Sequence, residues 1–119
     1  MTLQPNFLPV GSVVYYNIES IEHPKWTPTK LDAVDLQWLD GDPKEFNIAH
    51  RPIPLNPEIL TEWCGSSEVK PNQYRIGERL IVNRDGVYFD YGSNIQLDYL
   101  HELQLLFLGM KQVLPITIK

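Results

Sequence analysis

Residues 79–91 constrain this chain more than any other stretch. Two runs rich in β-branched and aromatic residues, Arg79 to Asn83 and Val87 to Tyr91, flank the segment Asn83-Arg84-Asp85-Gly86. Such runs favour extended backbone, and glycine in a short polar turn accepts the positive φ that a tight hairpin needs. An antiparallel hairpin is predicted, with Val87, Phe89 and Tyr91 sharing a face. The period then changes. After Gly92-Ser93-Asn94, Leu97, Leu100, Leu103, Phe107 and Met110 recur every three or four positions, which defines the stripe of a helix. Tyr99, Leu105, Leu106 and Leu108 widen that stripe, so this helix is expected to be the most buried element. Gly109 or the segment before Pro115 ends it, and Val113 to Ile118 is expected to add a last edge strand.

Upstream, the signals are shorter. Val13 to Ile18, following Gly11, reads as a strand. His23-Pro24, Trp26 and Thr27-Pro28 read as a turn-like connection, because the residue before each proline is pushed out of helical geometry. Ala33 to Trp38 alternates, with Val34, Leu36 and Trp38 on one face and Asp35 and Gln37 on the other, which predicts a half-buried strand ended by Asp40-Gly41-Asp42-Pro43. Phe46 to Ala49 reads as a further strand. Prolines 52 and 54 then fix an extended path into a short helix. Asn56 is placed to cap it, Pro57 suits its first position, Glu58 complements its positive end, and Gly65 supplies a left-handed exit. The predicted architecture is α+β, a small, mainly antiparallel sheet with two helices packed on one face. At 119 residues, a single domain spanning residues 1–119 is expected.

Pro52 to Gly65 and Tyr99 to Gly109 together resemble a family of short uncharacterised bacterial and phage proteins. Its members carry a "PIPL, acidic helix, GF" segment, then a hairpin, then a "YVHQLQNLYFALTG"-like helix. The similarity covers roughly the C-terminal two thirds; Pro9-Val10-Gly11-Ser12 stands where such proteins often carry an "RIGN"-like turn. What the resemblance implies is a fold and a phage or prophage accessory setting.

No window approaches the roughly 18 uninterrupted apolar residues of a membrane-spanning helix, so no membrane association is expected. Met1 to Pro9 lacks the basic opening and apolar run of a secretory leader, and the single Cys64 precludes an internal disulfide. A cytoplasmic location is expected. The net charge is −5, unevenly spread: residues 1–50 carry seven acids against three bases, whereas residues 67–84 carry four bases against two acids. The first stretch repels polyanions, so long nucleic acid is not an expected partner. The second is where an anion would go.

The chemistry-bearing residues are scattered. His23, His50 and His101 have no second ligand at metal spacing; His101 is expected on the polar side of the last helix. Cys64 ends a short helix, the wrong end for an activated thiolate, and is expected to be a small buried apolar residue. Asp40 with Asp42 suits turn chemistry, and Asp32 with Asp35 a solvated strand face. No catalytic residue, metal site or cofactor is therefore expected. What remains is Tyr74, Arg75, Arg79, Arg84, Tyr88 and Tyr91. Guanidinium groups grip phosphates with forked hydrogen bonds and tyrosine rings stack on bases, so these six are the candidate ligand-binding residues. The leading expectation is a non-catalytic protein, plausible in a phage, that sequesters a small anionic, nucleotide-type host signal, working as a homo-oligomer. Two alternatives stand beside it: a protein-interaction module that docks on a host protein through an edge strand or Trp26, and a small metal-dependent hydrolase using Asp40 and Asp42.

Overall fold

A computed structural model describes Leu3 and residues 8–119. The opening segment inspected for a leader falls outside the described residues at positions 1–2 and 4–7. The chain is α+β, and it divides into two compact units, Met1–Ile53 and Pro54–Lys119. Each unit has its own antiparallel sheet, where a single sheet is predicted. No helix among the described residues is long and apolar enough to cross a membrane.

The first unit is built on β1 (Val13–Asn17), β2 (Trp26–Lys30), α1 (Ala33–Gly41), α2 (Pro43–Ala49) and β3 (His50–Arg51), with sheet order β2-β1-β3. Trp26 to Pro28, read as a turn, belongs to β2. The strand tolerates Pro28 because it lies at the edge of the sheet, where a missing N–H breaks no central ladder. The two strands predicted over 33–38 and 46–49 are helices. Asp32 and Asp35 cap α1 reciprocally: each carboxylate accepts the other residue's backbone N–H at 2.9 Å, satisfying donors that a helix start leaves open. The backbone N–H of Asp35 holds the Asp32 carboxyl below its ordinary range. Asp42 ends α1 through its N–H on the Trp38 carbonyl and starts α2 by accepting the Glu45 N–H at 3.2 Å. Wound as helices, the segments bring Leu39 and Phe46 into a core with Leu3, Leu8, Val14 and Leu31, and leave Val34 in solvent.

The second unit begins with the predicted short helix. Asn56 Oδ1 accepts the Ile59 N–H at 2.8 Å and Gly65 exits at φ +69°. Its body, Ile59–Trp63, is a π-helical turn in which the Cys64 N–H reaches back five residues to the Ile59 carbonyl. Then come β4 (Ser67–Lys70), β5 (Gln73–Ile76), β6 (Arg79–Arg84), β7 (Val87–Asp90) and β8 (Gln96–Leu97), a meander in chain order, and α3 (Leu100–Gly109). The predicted hairpin is β6–β7. Asp85 and Gly86 take φ of 55° and 86°, and Asn83 Oδ1 accepts the Gly86 N–H at 2.8 Å. The edge strand predicted over 113–118 does not form; instead the Thr117 N–H donates singly to the Trp63 carbonyl at 2.9 Å. Leu100, Leu103 and Phe107 of α3 are buried, but Leu105 and Leu108 are exposed, so the apolar stripe is wider than the face it buries.

Candidate functional site

Register decides the fate of the six residues singled out around the hairpin. Tyr74 pairs with Ile81 and Ile81 with Asp90; Ile76 pairs with Arg79 and Asn83 with Tyr88. Paired residues share a face, so Tyr74, Arg79, Tyr88 and Asp90 lie on one side of the sheet, the side that is buried. Arg75, paired with Leu80, and Arg84, paired with Val87, lie on the other. Val87 and Phe89 do share a face, and it is this more open one. Tyr74 and Tyr88 are buried 6.3 Å apart. Burial pushes both phenols up, with the Glu68 charge adding to the shift at Tyr74. They are core residues rather than ligand contacts.

Arg79 is committed elsewhere. Its guanidinium pairs with the carboxylate of Asp90, which is fully buried. The same carboxylate oxygen accepts the Ser93 N–H and hydroxyl, and the Asp90 carbonyl accepts the Asn94 N–H at 2.7 Å. Asp90 therefore organises the turn into β8. Arg84, at the hairpin tip, lies 5.4 Å over the Phe89 ring. Of the six, Arg75, Arg79 and Tyr91 line a shared depression of about 270 Å³, with Glu78, Leu80, Asp90 and Gly92. Two guanidiniums there meet two carboxylates, so the local field has no net preference for an anion. Asp90 is the residue sequence reasoning missed; its signal is an acid inside a strand of apolar neighbours.

The nucleophile and base candidates are similarly occupied. Cys64 is buried, as expected, and burial pushes its thiol up to about 12, which leaves almost no thiolate at neutral pH. His101 is buried rather than solvent-facing, because α3 turns that side inward beside Tyr99, whose ring stacks on it at 5.9 Å. Burial brings its pKa down to about 4, and its Nδ1 has no hydrogen-bond partner among the described residues. His50 is buried against Phe46, with ring centroids 3.8 Å apart, and its Nδ1 lies 2.9 Å from the Phe46 carbonyl, so Nδ1 carries the proton and donates. Burial lowers its pKa as well. Asp32 with Asp35 form a helix cap rather than a solvated strand face, and Asp42 is a cap too. Among the described residues no three His, Cys, Asp or Glu side chains gather where they could hold a metal ion.

A different constellation is available on the first unit. Tyr15 pairs with Pro28 and Arg51, and Asn17 with Trp26, so these five residues share the face opposite Val14 and His50; at its far end the same face carries the fully buried Val13. Across it lies the Arg51 guanidinium, 4.2 Å from the Trp26 ring centroid and 5.8 Å from that of Tyr15. Arg51 is exposed while both rings are half-buried. No ion pair engages Arg51 among the described residues. The loop that delivers Trp26 is itself fixed: Asn17 Oδ1 accepts the Glu19 and Lys25 N–H groups at 3.1 and 3.0 Å, and Asn17 Nδ2 donates to the Ser20 carbonyl. An exposed arginine held over an indole by its guanidinium carbon can offer N–H groups to an oxyanion, and the aromatic side chains beside it suit a planar ring.

Comparison with known proteins finds no matching family model, no similar curated protein and no similar solved structure.

Proposed function

We propose that this chain is a non-catalytic binding protein that holds a small anionic, ring-bearing molecule of nucleotide type at the exposed Arg51, beside Trp26 and Tyr15 of the β2-β1-β3 sheet. The observation that carries this reading is the Arg51 guanidinium resting on Trp26, exposed and without a carboxylate partner among the described residues. Holding the fork in place beforehand reduces the entropy lost on binding, and stacking a base contributes about 1–3 kcal/mol. The acid-rich composition of residues 1–50 disfavours a long polyanion, which limits the ligand to one or two phosphates. In the phage setting that the resemblance implies, such a protein works in the cytoplasm as a sponge for a host nucleotide signal, and affinity rather than turnover is what it needs.

Calorimetric titration tests this with mononucleotides, cyclic dinucleotides and ADP-ribose, set against ribose 5-phosphate and inorganic phosphate. At least one base-bearing ligand should saturate and the base-free compounds should not. Arg51→Ala and Trp26→Ala should each weaken binding at least about tenfold, the loss of roughly 1.4 kcal/mol. A flat response across the panel, or affinity indifferent to both substitutions, contradicts the proposal.

A second reading has its own observation. Ile18 and Ile21, in the loop before Trp26, are exposed, Ile21 by 77%, and apolar groups beside an aromatic anchor suit a protein partner. Under that reading Ile21→Asp abolishes capture of a stoichiometric host protein while nucleotide titrations stay flat.

A further inference from the structure

The second unit carries an apolar surface that the sheet-face reading does not use. Along α3, Leu100, Leu103 and Phe107 are buried, while Leu105 and Leu108 stay 36% and 39% exposed and Ile95 49%. With Leu97 and Leu106, Ile95 and Leu105 wall a depression of about 330 Å³ that runs from β8 along the helix to Gly109. Polar groups at its rim are few. Glu102 is the only charged side chain on α3, and its Oε1 accepts the Asp98 and Tyr99 N–H groups at 2.9 Å. Beyond the other end of the helix Lys111 is exposed at φ +58°.

These positions are self-complementary. We infer that the exposed side of α3 is an interface with a second copy of this chain, the two helices packing antiparallel about the point midway between Leu106 and Phe107. About that point Leu105 falls level with Leu108 of the second copy, and Glu102 with its Lys111. A two-fold axis makes each pairing twice. A parallel arrangement would instead set like ends together, with Glu102 beside Glu102. Leucines meeting at i and i+3 positions suit helix pairs 8–10 Å apart, and the apolar depression beside them receives the partner's leucines away from water. Two helices of this length cover less than the roughly 800 Å² per partner of a standard interface, so the dimer is a weak one that forms with rising concentration.

Sedimentation velocity on the full chain from about 5 μM to 1 mM reads this directly, on the usual mass-action behaviour of a dimer. The unmodified chain should pass from monomer to dimer across that range. Leu105→Glu, compared on chains whose circular dichroism and cooperative melting show them folded, should raise the dissociation constant at least tenfold, and Lys111→Glu, at an exposed residue, should raise it by a smaller factor. Geometry is read separately by mixing the singly substituted Leu105→Cys and Leu108→Cys chains with oxidised glutathione, which takes up the two electrons as one disulfide forms: the mixed covalent dimer should exceed either homodimer. The buried Cys64, its thiol at about 12, does not compete. A chain that stays monomeric to 1 mM overturns the inference. So does a dimer whose dissociation constant ignores Leu105→Glu, or a mixture of the two singly substituted chains in which the mixed covalent dimer does not exceed the homodimers.

Discussion

Arg51 and Arg79 both sit on sheets beside aromatic residues, and they end in opposite states. Arg79 lies on the buried face of its sheet and meets a fully buried carboxylate, so its charge is cancelled inside the protein. Arg51 is exposed, and its neighbours are the rings of Tyr15 and Trp26, which hold the guanidinium without neutralising it. Local charge counts favour the stretch that contains Arg79. Availability favours Arg51, because a cation serves a ligand only when no internal anion has already claimed it.

That contrast predicts unequal costs. Arg79→Ala leaves Asp90 buried with only Ser93 as side-chain partner, and breaking such a pair costs about 3–5 kcal/mol; because Arg79 is a quarter exposed, a loss near 3 kcal/mol is expected in chemical denaturation. Asp90→Ala should match or exceed it. The acid limb of stability comes next. His101, with a folded pKa of about 4 against an ordinary 6.5, is neutral in the folded chain where the unfolded chain is protonated. Its contribution is therefore present above pH 6.5 and is lost as the pH falls from there towards 4, on the order of 3 kcal/mol at most, and the lowered pKa of His50 acts in the same direction. His101→Phe, which also removes an unpaired nitrogen, should flatten the fall of melting temperature between pH 6.5 and 4 without lowering it at pH 7.

Asn56→Ala supplies a local yardstick. It removes the Ile59 N–H partner and should cost about 1 kcal/mol, less than Arg79→Ala in the same unit. Arg51→Ala should cost least, under about 1 kcal/mol for an exposed cation–π contact. An Arg51 substitution that destabilises as much as Arg79→Ala would show that both arginines are structural, and the distinction drawn between them would disappear.

Part of this was legible in the sequence, and the reasons differ by residue. The β6–β7 hairpin could be read because Asp85 and Gly86 must both take positive φ; α3 could be read because its stripe runs for three turns. The helices α1 and α2 could not, since Val34, Leu36 and Trp38 alternate over too few residues to separate a strand from a helix. The discriminating signal was nevertheless there: Asp32 with Asp35 and Asp42 with Glu45 each stand three apart, the spacing of a cap. The proposed binding face stayed hidden for another reason. Trp26 and Arg51 are 25 positions apart and meet only through the β1 pairings, while Asp90 stands directly opposite Ile81 and meets Arg79 only diagonally, a pairing that spacing alone does not announce. His101 misled because a polar residue in a helix is ordinarily turned outward.

The most direct test follows the indole N–H of each tryptophan and the guanidinium Nε–H of each arginine by heteronuclear NMR, while a nucleotide that binds by calorimetry is added. Trp26 and Arg51 should shift together and saturate with the calorimetric affinity, while Arg79 and the buried Trp63 stay where they are. Saturating shifts at Arg75 and Arg79 with Trp26 unmoved would place the ligand on the hairpin depression and contradict the account.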